Sequence, residues 1–162
     1  MFSRNKEKLS SRSNVACFVD GPNIIRKEFN LDLDELRRTA QKYGRIIVGK
    51  VFLNQHASDK LIEAIANQGF EPTVMLSGET DPDVDVALAV AVVEAAYNSD
   101  IDIIVIGSRD ADYLPAIQAA KKRNKKVVVM GTEPGFSKAL QHSADYVEFL
   151  RGRSSPPKRS FN

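Results

Sequence analysis

The sequence has few of the residues and patterns that identify several large classes of protein. Its one cysteine, Cys17, excludes an internal disulfide, and its two histidines, His56 and His142, are too few for a Cys/His site of structural zinc. No apolar run approaches the roughly 18 residues that a membrane-spanning helix requires. The amino terminus also lacks the apolar stretch of a secretory signal peptide. We therefore expect a cytoplasmic protein without a membrane segment.

The glycine motifs of nucleotide-binding proteins are also absent. No Gly-x-Gly-x-x-Gly segment follows the first predicted strand, and the sequence contains no Walker A motif. The glycines at residues 131–135 are typical of a turn rather than of a loop that binds phosphate by itself. The sequence therefore does not favour a nucleotide-binding domain of the Rossmann type.

Charge is distributed unevenly along the 162 residues. Residues 1–13 contain four basic residues and one acid, and residues 151–162 contain four basic residues and no acid. The intervening residues 14–150 contain 15 basic and 20 acidic residues, which is unusual for a domain that binds nucleic acid by bulk charge alone. We predict one domain over residues 14–150 between two disordered basic tails, which either bind a polyanion or only keep the chain soluble.

Apolar patterning within the predicted domain indicates alternating strands and helices. Strands are predicted at residues 15–20, 45–54, 70–76, 102–107, 125–130 and 146–150, and helices at residues 32–43, 58–68, 83–98, 110–123 and 137–143. Such an order favours an α/β fold of three layers, with a central, mainly parallel sheet of five or six strands covered on both faces. The helix at 83–98 is apolar over most of its surface, so we expect it to be well buried.

Aspartates follow the predicted strands where a ligand site is expected. Ligands of parallel α/β sheets bind outside the carboxyl ends of the strands. Asp20 ends the first strand, Asp110 and Asp112 follow the strand at 102–107, and Asp85 lies at the start of the long helix. Clustered carboxylates repel one another unless a cation compensates, and Mg²⁺ and Mn²⁺ prefer oxygen ligands. The pattern predicts a metal site that could activate water to attack a phosphodiester.

Each of these aspartates also has a purely structural interpretation. Asp20 precedes Gly-Pro and is typical of a turn, and Asp110 is placed to cap the following helix. Asp81 and Asp83 are placed to do the same for the helix at 83–98. Only the expected meeting of three such segments at one edge of the sheet favours a shared site over separate caps.

Three segments carry a resemblance to a known family. Residues 18–23 read Phe-Val-Asp-Gly-Pro-Asn, residues 83–88 read Asp-Val-Asp-Val-Ala-Leu, and residues 108–113 read Ser-Arg-Asp-Ala-Asp-Tyr. In order and spacing they resemble the Asp-Gly-x-Asn, Gly-Val-Asp-Val and Ser-Gly-Asp-x-Asp-Phe motifs of the NYN family, a branch of the PIN-like nuclease superfamily. The resemblance runs from about residue 15 to residue 150.

This resemblance implies a PIN-like fold, a site that depends on Mg²⁺ or Mn²⁺, and a ribonuclease with RNA as its partner. The implied catalytic and metal-binding residues are Asp20, Asp85, Asp110 and Asp112. Asn23 and Ser108 suit positions that orient water or phosphate, because each offers a hydrogen bond without charge. Arg109 suits contact with phosphate or compensation of an acid.

The sequence departs from the family pattern at three places. Many members have a further aspartate six residues after the position of Asp85, where this chain has Ala91. The basic-glycine pair before the motif aspartate is replaced by Asp83-Val84, and the glycine after the motif serine is Arg109. Glu94 lies nine residues past Asp85, which is two and a half helical turns and places it on the other side of the helix.

Two functional hypotheses follow from the sequence. The first is a divalent-metal-dependent endoribonuclease that hydrolyses RNA phosphodiesters at the carboxylate cluster. The second, favoured by Ala91, is a non-catalytic PIN-like module with a degraded metal site that binds RNA or a protein. A homodimer is an open alternative, with Phe136, Tyr146 and Phe149 either on its surface or in the core.

Overall fold

The computed structural model describes residues 13–76 and 84–153 of the chain. Most of both predicted tails lies outside the described residues, and so do Asp81 and Asp83. None of the helices in the described ranges is long and apolar enough to cross a membrane.

A six-stranded parallel sheet forms the centre of the described fold. Its strands are β1 (Asn14–Asp20), β2 (Arg45–Leu53), β3 (Glu71–Val74), β4 (Ile103–Gly107), β5 (Lys126–Gly131) and β6 (Tyr146–Phe149). The spatial order is β3-β2-β1-β4-β5-β6, and every neighbouring pair is parallel. Strands β1 and β4 are therefore neighbours at the middle of the sheet, where the strand order changes direction and ligand sites form in such folds.

Helices cover both faces of the sheet. They are α1 (Gly21–Ile24), α2 (Leu33–Gln41), α3 (Asp59–Asn67), α4 (Val84–Ala96), α5 (Leu114–Lys122) and α6 (Lys138–Ser143), with 3₁₀ turns at Lys27–Phe29 and Ala111–Tyr113. Side chains of β1 alternate between two hydrophobic clusters, as the period of a strand requires. Ala16 and Phe18 pack with α4, α5 and α6, whereas Cys17 and Val19 pack with α2 and α3. This arrangement confirms the predicted three-layer α/β class.

The fully buried Cys17 has a structural role. Burial raises the pKa of its thiol to about 12, so the thiol stays protonated near neutral pH. A protonated, buried thiol packs as a small apolar group and is a poor nucleophile.

The structure corrects the sequence-based predictions at several elements. The expectation that the helix at 83–98 is well buried is wrong for the outer side of α4, where Val86 and Val90 are exposed. The helix predicted at 110–123 is divided into the turn Ala111–Tyr113 and α5, which has a proline at its amino end. Helix α1 and the turn Lys27–Phe29 were not predicted.

Candidate functional site

Pairing between β1 and β4 brings the first and third motif segments together. In the register of these strands Val19 lies opposite Gly107, so Asp20 and Ser108 leave the sheet side by side. The chain turns sharply after Asp20, and a Cβ atom on Gly21 would lie 2.6 Å from the backbone oxygen of Phe52. Glycine is therefore required at this position by close backbone approach.

Asp20 is a buried carboxylate held by a tyrosine. The hydroxyl of Tyr113 donates a hydrogen bond of 2.8 Å to Oδ2 of Asp20. Burial is the largest effect on the pKa of Asp20 and raises it. Hydrogen bonds from the Tyr113 hydroxyl and the backbone amide of Asn23 lower this pKa, and the negative charges of Asp110 and Asp85 raise it. Burial prevails in this balance, so ionising Asp20 is more costly in the fold than in water.

Asp110 and Asp112 lie beside one another at the start of the turn that precedes α5. Oδ1 of Asp110 accepts a hydrogen bond of 2.9 Å from the backbone nitrogen of Asp112, so the predicted capping role of Asp110 is confirmed. The charge of Asp110 is the largest cause that raises the pKa of Asp112, and Asp85 adds to it. The four predicted aspartates therefore lie at one edge of the sheet, within electrostatic reach of one another.

The donor chemistry of these four residues fits a hard divalent cation, but the carboxylates are not gathered into a preformed cage. Within residues 13–76 and 84–153, no three His, Cys, Asp or Glu side chains are grouped so that they could hold a metal ion. Oδ2 of Asp20 and Oδ1 of Asp110 are occupied by hydrogen bonds within the protein. A cation would relieve the repulsion that is the main cause of the raised pKa of Asp112 and a smaller cause at Asp20, where burial is the largest. The carboxylates would have to move toward such an ion.

Ala91 lines a cavity of about 540 Å³ beside β2, together with Phe18, Lys50 and Glu94, and none of the four predicted aspartates lines this cavity. Glu94 also lines a groove between α4 and α5 that Asp112 lines.

Asn23, Ser108 and Arg109 join the loops that follow β1 and β4. Oδ1 of Asn23 accepts hydrogen bonds from the backbone nitrogen of Arg109 at 2.8 Å and from the hydroxyl of Ser108 at 3.3 Å. The guanidinium of Arg109 donates to the carbonyl oxygens of Asn23 and Pro134 and lies 4.5 Å from the centre of the Phe29 ring. These hydrogen bonds fix the loop after β1 against the loop after β4. Contact of the three residues with substrate stays a prediction.

Two residues at this edge had been given no role from the sequence. Tyr113 occupies the position of the phenylalanine in the family motif. The additional hydroxyl was the feature of the sequence that could have indicated a hydrogen bond at the site. Thr132 follows β5, is 3% exposed, and its Oγ1 has no hydrogen-bond partner in the described part of the chain. The sequence shows only that Thr132 is a small polar residue directly after a buried strand. Its burial could not be predicted from this position, because it depends on how the next loop folds.

The parallel sheet and its strand order, with helices on both faces, are those of a PIN-like α/β fold. The sequence pattern of the NYN domain matches residues 14–151, nearly the whole chain. The chain belongs to the NYN domain family, a family of nuclease-like domains, as its three motifs had indicated.

Two known proteins are similar to this chain. The chain is 50% identical over 160 residues to "Uncharacterized protein MJ0482" of Methanocaldococcus jannaschii, covering 96% of this chain and 65% of that relative. The chain thus spans about two thirds of the length of that relative. The crystal structure of VPA0982 from Vibrio parahaemolyticus, a protein of unknown function, superposes with a TM-score of 0.75 at 22% identity, over 85% of this chain and 93% of that one. This likeness supports the PIN-like fold.

Proposed function

We propose that the protein is a divalent-metal-dependent endoribonuclease whose site is the cluster of Asp20, Asp85, Asp110 and Asp112. The observation that carries the proposal is the pairing of β1 with β4, which sets Asp20 beside the turn that bears Asp110 and Asp112. Asp85 lies near enough to raise the pKa of both Asp20 and Asp112. Membership of a nuclease-like family supports it. Helices that follow parallel strands all begin at this edge, and Ser58 and Ser137 are ordinary caps there; the mutual reach of the four carboxylates, not the shared edge, therefore favours a site.

In this proposal the four carboxylates hold Mg²⁺ or Mn²⁺ through oxygen ligands. A bound divalent ion supplies an activated water and neutralises charge on the phosphodiester. Tyr113 fixes the orientation of Asp20, and Asp110 both caps its turn and offers its second carboxylate oxygen to the site. The hydrogen bonds among Asn23, Ser108 and Arg109 keep the two carboxylate-bearing loops at a fixed separation.

RNA is the proposed substrate because the family suggests RNA interaction. The cluster itself is acidic and would repel a polyanion in the absence of metal. The basic residues of 1–13 and 151–162 are proposed to raise RNA affinity through release of counterions. Affinity for RNA should therefore fall steeply with salt concentration, whereas the chemistry should depend on the divalent ion.

The proposal is tested by incubating purified protein with a panel of labelled RNAs and single-stranded DNA in Mn²⁺, Mg²⁺ or EDTA. We expect internal cleavage of RNA with either metal, and none in EDTA. A folded protein that cleaves no member of the panel would overturn the proposal. RNA cleavage that continues in EDTA would overturn its dependence on metal.

A second candidate is a non-catalytic module that binds RNA or protein, and Ala91 favours it. This alternative predicts neither Mn²⁺-dependent turnover nor stabilisation of the fold by Mn²⁺. Activity in the unmodified protein would exclude it.

A further inference from the structure

A cavity of about 280 Å³ lies beside the start of α1, directly after β1. Gly21 and Pro22 form one wall, and the loop after β2 and helix α3 form the other with Asn54, His56 and Leu61. Both walls follow the carboxyl ends of neighbouring parallel strands. We call this space the edge cavity, because it lies at the same edge of the sheet as the proposed metal site.

The start of α1 separates the edge cavity from the carboxylates. The Asp20 carboxylate bonds to Tyr113, which belongs to the hydrophobic cluster formed with α4 and α5. Leu53 and Leu61, which line the edge cavity, belong to the cluster on the other face of the sheet. A single strand of RNA that crosses the start of α1 would present a phosphodiester to the carboxylates and the base of the neighbouring nucleotide to the edge cavity.

Apolar side chains and unpaired polar groups share the walls of the edge cavity. Ile25, Leu53 and Leu61 supply the apolar part. Oδ1 of Asn54 accepts a hydrogen bond of 3.0 Å from the backbone nitrogen of His56, which fixes this loop. Within the part of the chain that the structure describes, the Asn54 amide nitrogen and the His56 imidazole have no hydrogen-bond partner. Apolar walls, a free planar ring and a free donor together suit a planar heteroaromatic ligand.

Charge distinguishes the edge cavity from the two other spaces described above. Glu94 lines both the 540 Å³ cavity and the groove between α4 and α5, whereas none of the residues that line the edge cavity is acidic. Nε of Arg26 donates a hydrogen bond of 2.8 Å to the carbonyl oxygen of Pro22, so a guanidinium lies beside the cavity wall. Two acids of the flanking segments do not line the cavity: Glu28, 3.6 Å from that guanidinium, and the exposed Asp59. A cation at the rim and walls without carboxylates favour a base that is attached to phosphate.

We propose that the edge cavity binds one unpaired RNA base, next to the phosphodiester positioned at the carboxylates. The base stacks on the His56 ring, and its edge accepts a hydrogen bond from the Asn54 amide. The cavity is smaller than the roughly 300–1,000 Å³ of sites for drug-sized ligands, so it suits one base rather than a whole nucleotide. The inference rests on the proposed function and specifies its substrate as single-stranded RNA, because the bases of a duplex are paired and stacked inside it.

The two histidines of the chain provide a test that needs neither metal nor cleavage. Ring-proton NMR spectra are recorded in EDTA at constant pH while AMP, GMP, CMP or UMP is added, and His142→Ala assigns the signals. We expect at least one nucleotide to shift the His56 signals saturably, and none to shift those of His142, which does not line the cavity. Ribose 5-phosphate carries the anion without the base and should shift neither. No shift with any nucleotide, or an equal shift with ribose 5-phosphate, would overturn the base site.

RNA affinity tests the same site with a longer ligand. Fluorescence anisotropy in EDTA compares binding of a short labelled RNA by the parent, His56→Ala and His142→Ala; both histidines are exposed, so both variants should fold. We expect about tenfold weaker binding by His56→Ala alone, the size of one lost stacking contact. This difference should disappear on an abasic strand of the same length, which retains only the phosphate contacts. Equal affinity of the two variants for RNA would overturn the inference.

These measurements separate the base site from the nuclease proposal. A nucleotide that shifts the His56 signals in a protein that cleaves no RNA would support the base site within a non-catalytic RNA-binding module. Metal-dependent cleavage by a protein whose His56 signals do not respond would retain the nuclease and overturn the base site alone.

Discussion

The buried hydroxyl of Tyr113 donates a 2.8 Å hydrogen bond to Oδ2 of Asp20, joining the turn before α5 to the end of β1. The two residues are 93 positions apart in the chain and meet because β1 and β4 are adjacent. Burial and the Asp20 carboxylate raise the pKa of Tyr113 well above its usual range, so its hydroxyl remains a donor at any physiological pH. Asp20 is thereby held in one orientation before any ligand arrives.

Tyr113→Phe removes this donor while keeping the ring. We expect a folded protein that needs roughly fivefold more Mn²⁺ for half-maximal cleavage, because a net hydrogen bond of about 1 kcal/mol no longer orients Asp20. Metal titration of the cleavage rate measures the effect. Tyr97→Phe removes a hydroxyl outside the cluster and serves as the control. Equal Mn²⁺ requirements in the two variants would contradict the positioning role.

The raised pKa of Asp20 makes a prediction for stability. A carboxyl whose pKa is higher in the folded state than in the unfolded chain binds protons more tightly when the protein is folded. The free energy of unfolding therefore decreases as the pH rises from the unfolded-state pKa through the folded-state pKa. At neutral pH the ionised, buried Asp20 therefore opposes folding. Asp20→Asn should raise the thermal midpoint at pH 7 in EDTA, and this gain should shrink as the pH falls toward the ordinary carboxyl pKa.

Added Mn²⁺ should raise the thermal midpoint of the unmodified protein more than that of Asp20→Asn. The ion stabilises the unmodified fold by binding only its native state, so the midpoint rises with Mn²⁺ concentration. Asp20→Asn lacks a ligand and should show little further rise. Thermal melts with and without Mn²⁺ test both statements, and an Asp20→Asn protein less stable than the parent at pH 7 in EDTA would show that this carboxylate supports the fold.

Thr132 supplies a prediction about an unpaired buried group. Its Oγ1 is buried without a hydrogen-bond partner in the described part of the chain, and such a hydroxyl costs free energy. Thr132→Val keeps the branched shape and should raise the free energy of unfolding by about 1 kcal/mol, or roughly 2–4 °C in thermal midpoint. Chemical denaturation measures it. A loss of stability instead would mean that the hydroxyl has a partner such as bound water.

Local sequence pattern predicted the elements that position the site. Continuous apolar runs identified β1 and β4, and Ser58 and Asp32 were visible as the starts of helices that they cap. The rule that ligands bind at the carboxyl edge of a parallel sheet then predicted that the aspartates after these two strands lie close together. These features depend on residues close in sequence or on the general geometry of the fold.

Features that depend on distant contacts were not predictable in this way. The guanidinium of Arg109 is fixed by Phe29 and Pro134, which lie far from it in sequence. The exposure of α4 depends on which neighbours cover it, and a uniformly apolar helix gives no indication of its outward side. The division at Leu114 reflects Pro115, which lacks the backbone donor that a continuous helix would need there.

The most direct test of the proposed nuclease is RNA cleavage by Asp110→Asn beside Asp32→Asn. Both aspartates cap a helical turn through a similar hydrogen bond, of 2.9 Å from Asp112 and 3.0 Å from Asp34. An amide oxygen can still accept each bond, so both variants should fold. We predict at least about a 100-fold loss of Mn²⁺-dependent cleavage in Asp110→Asn and none in Asp32→Asn. Undiminished cleavage by Asp110→Asn would mean that Asp110 is only a cap and would contradict the proposed site.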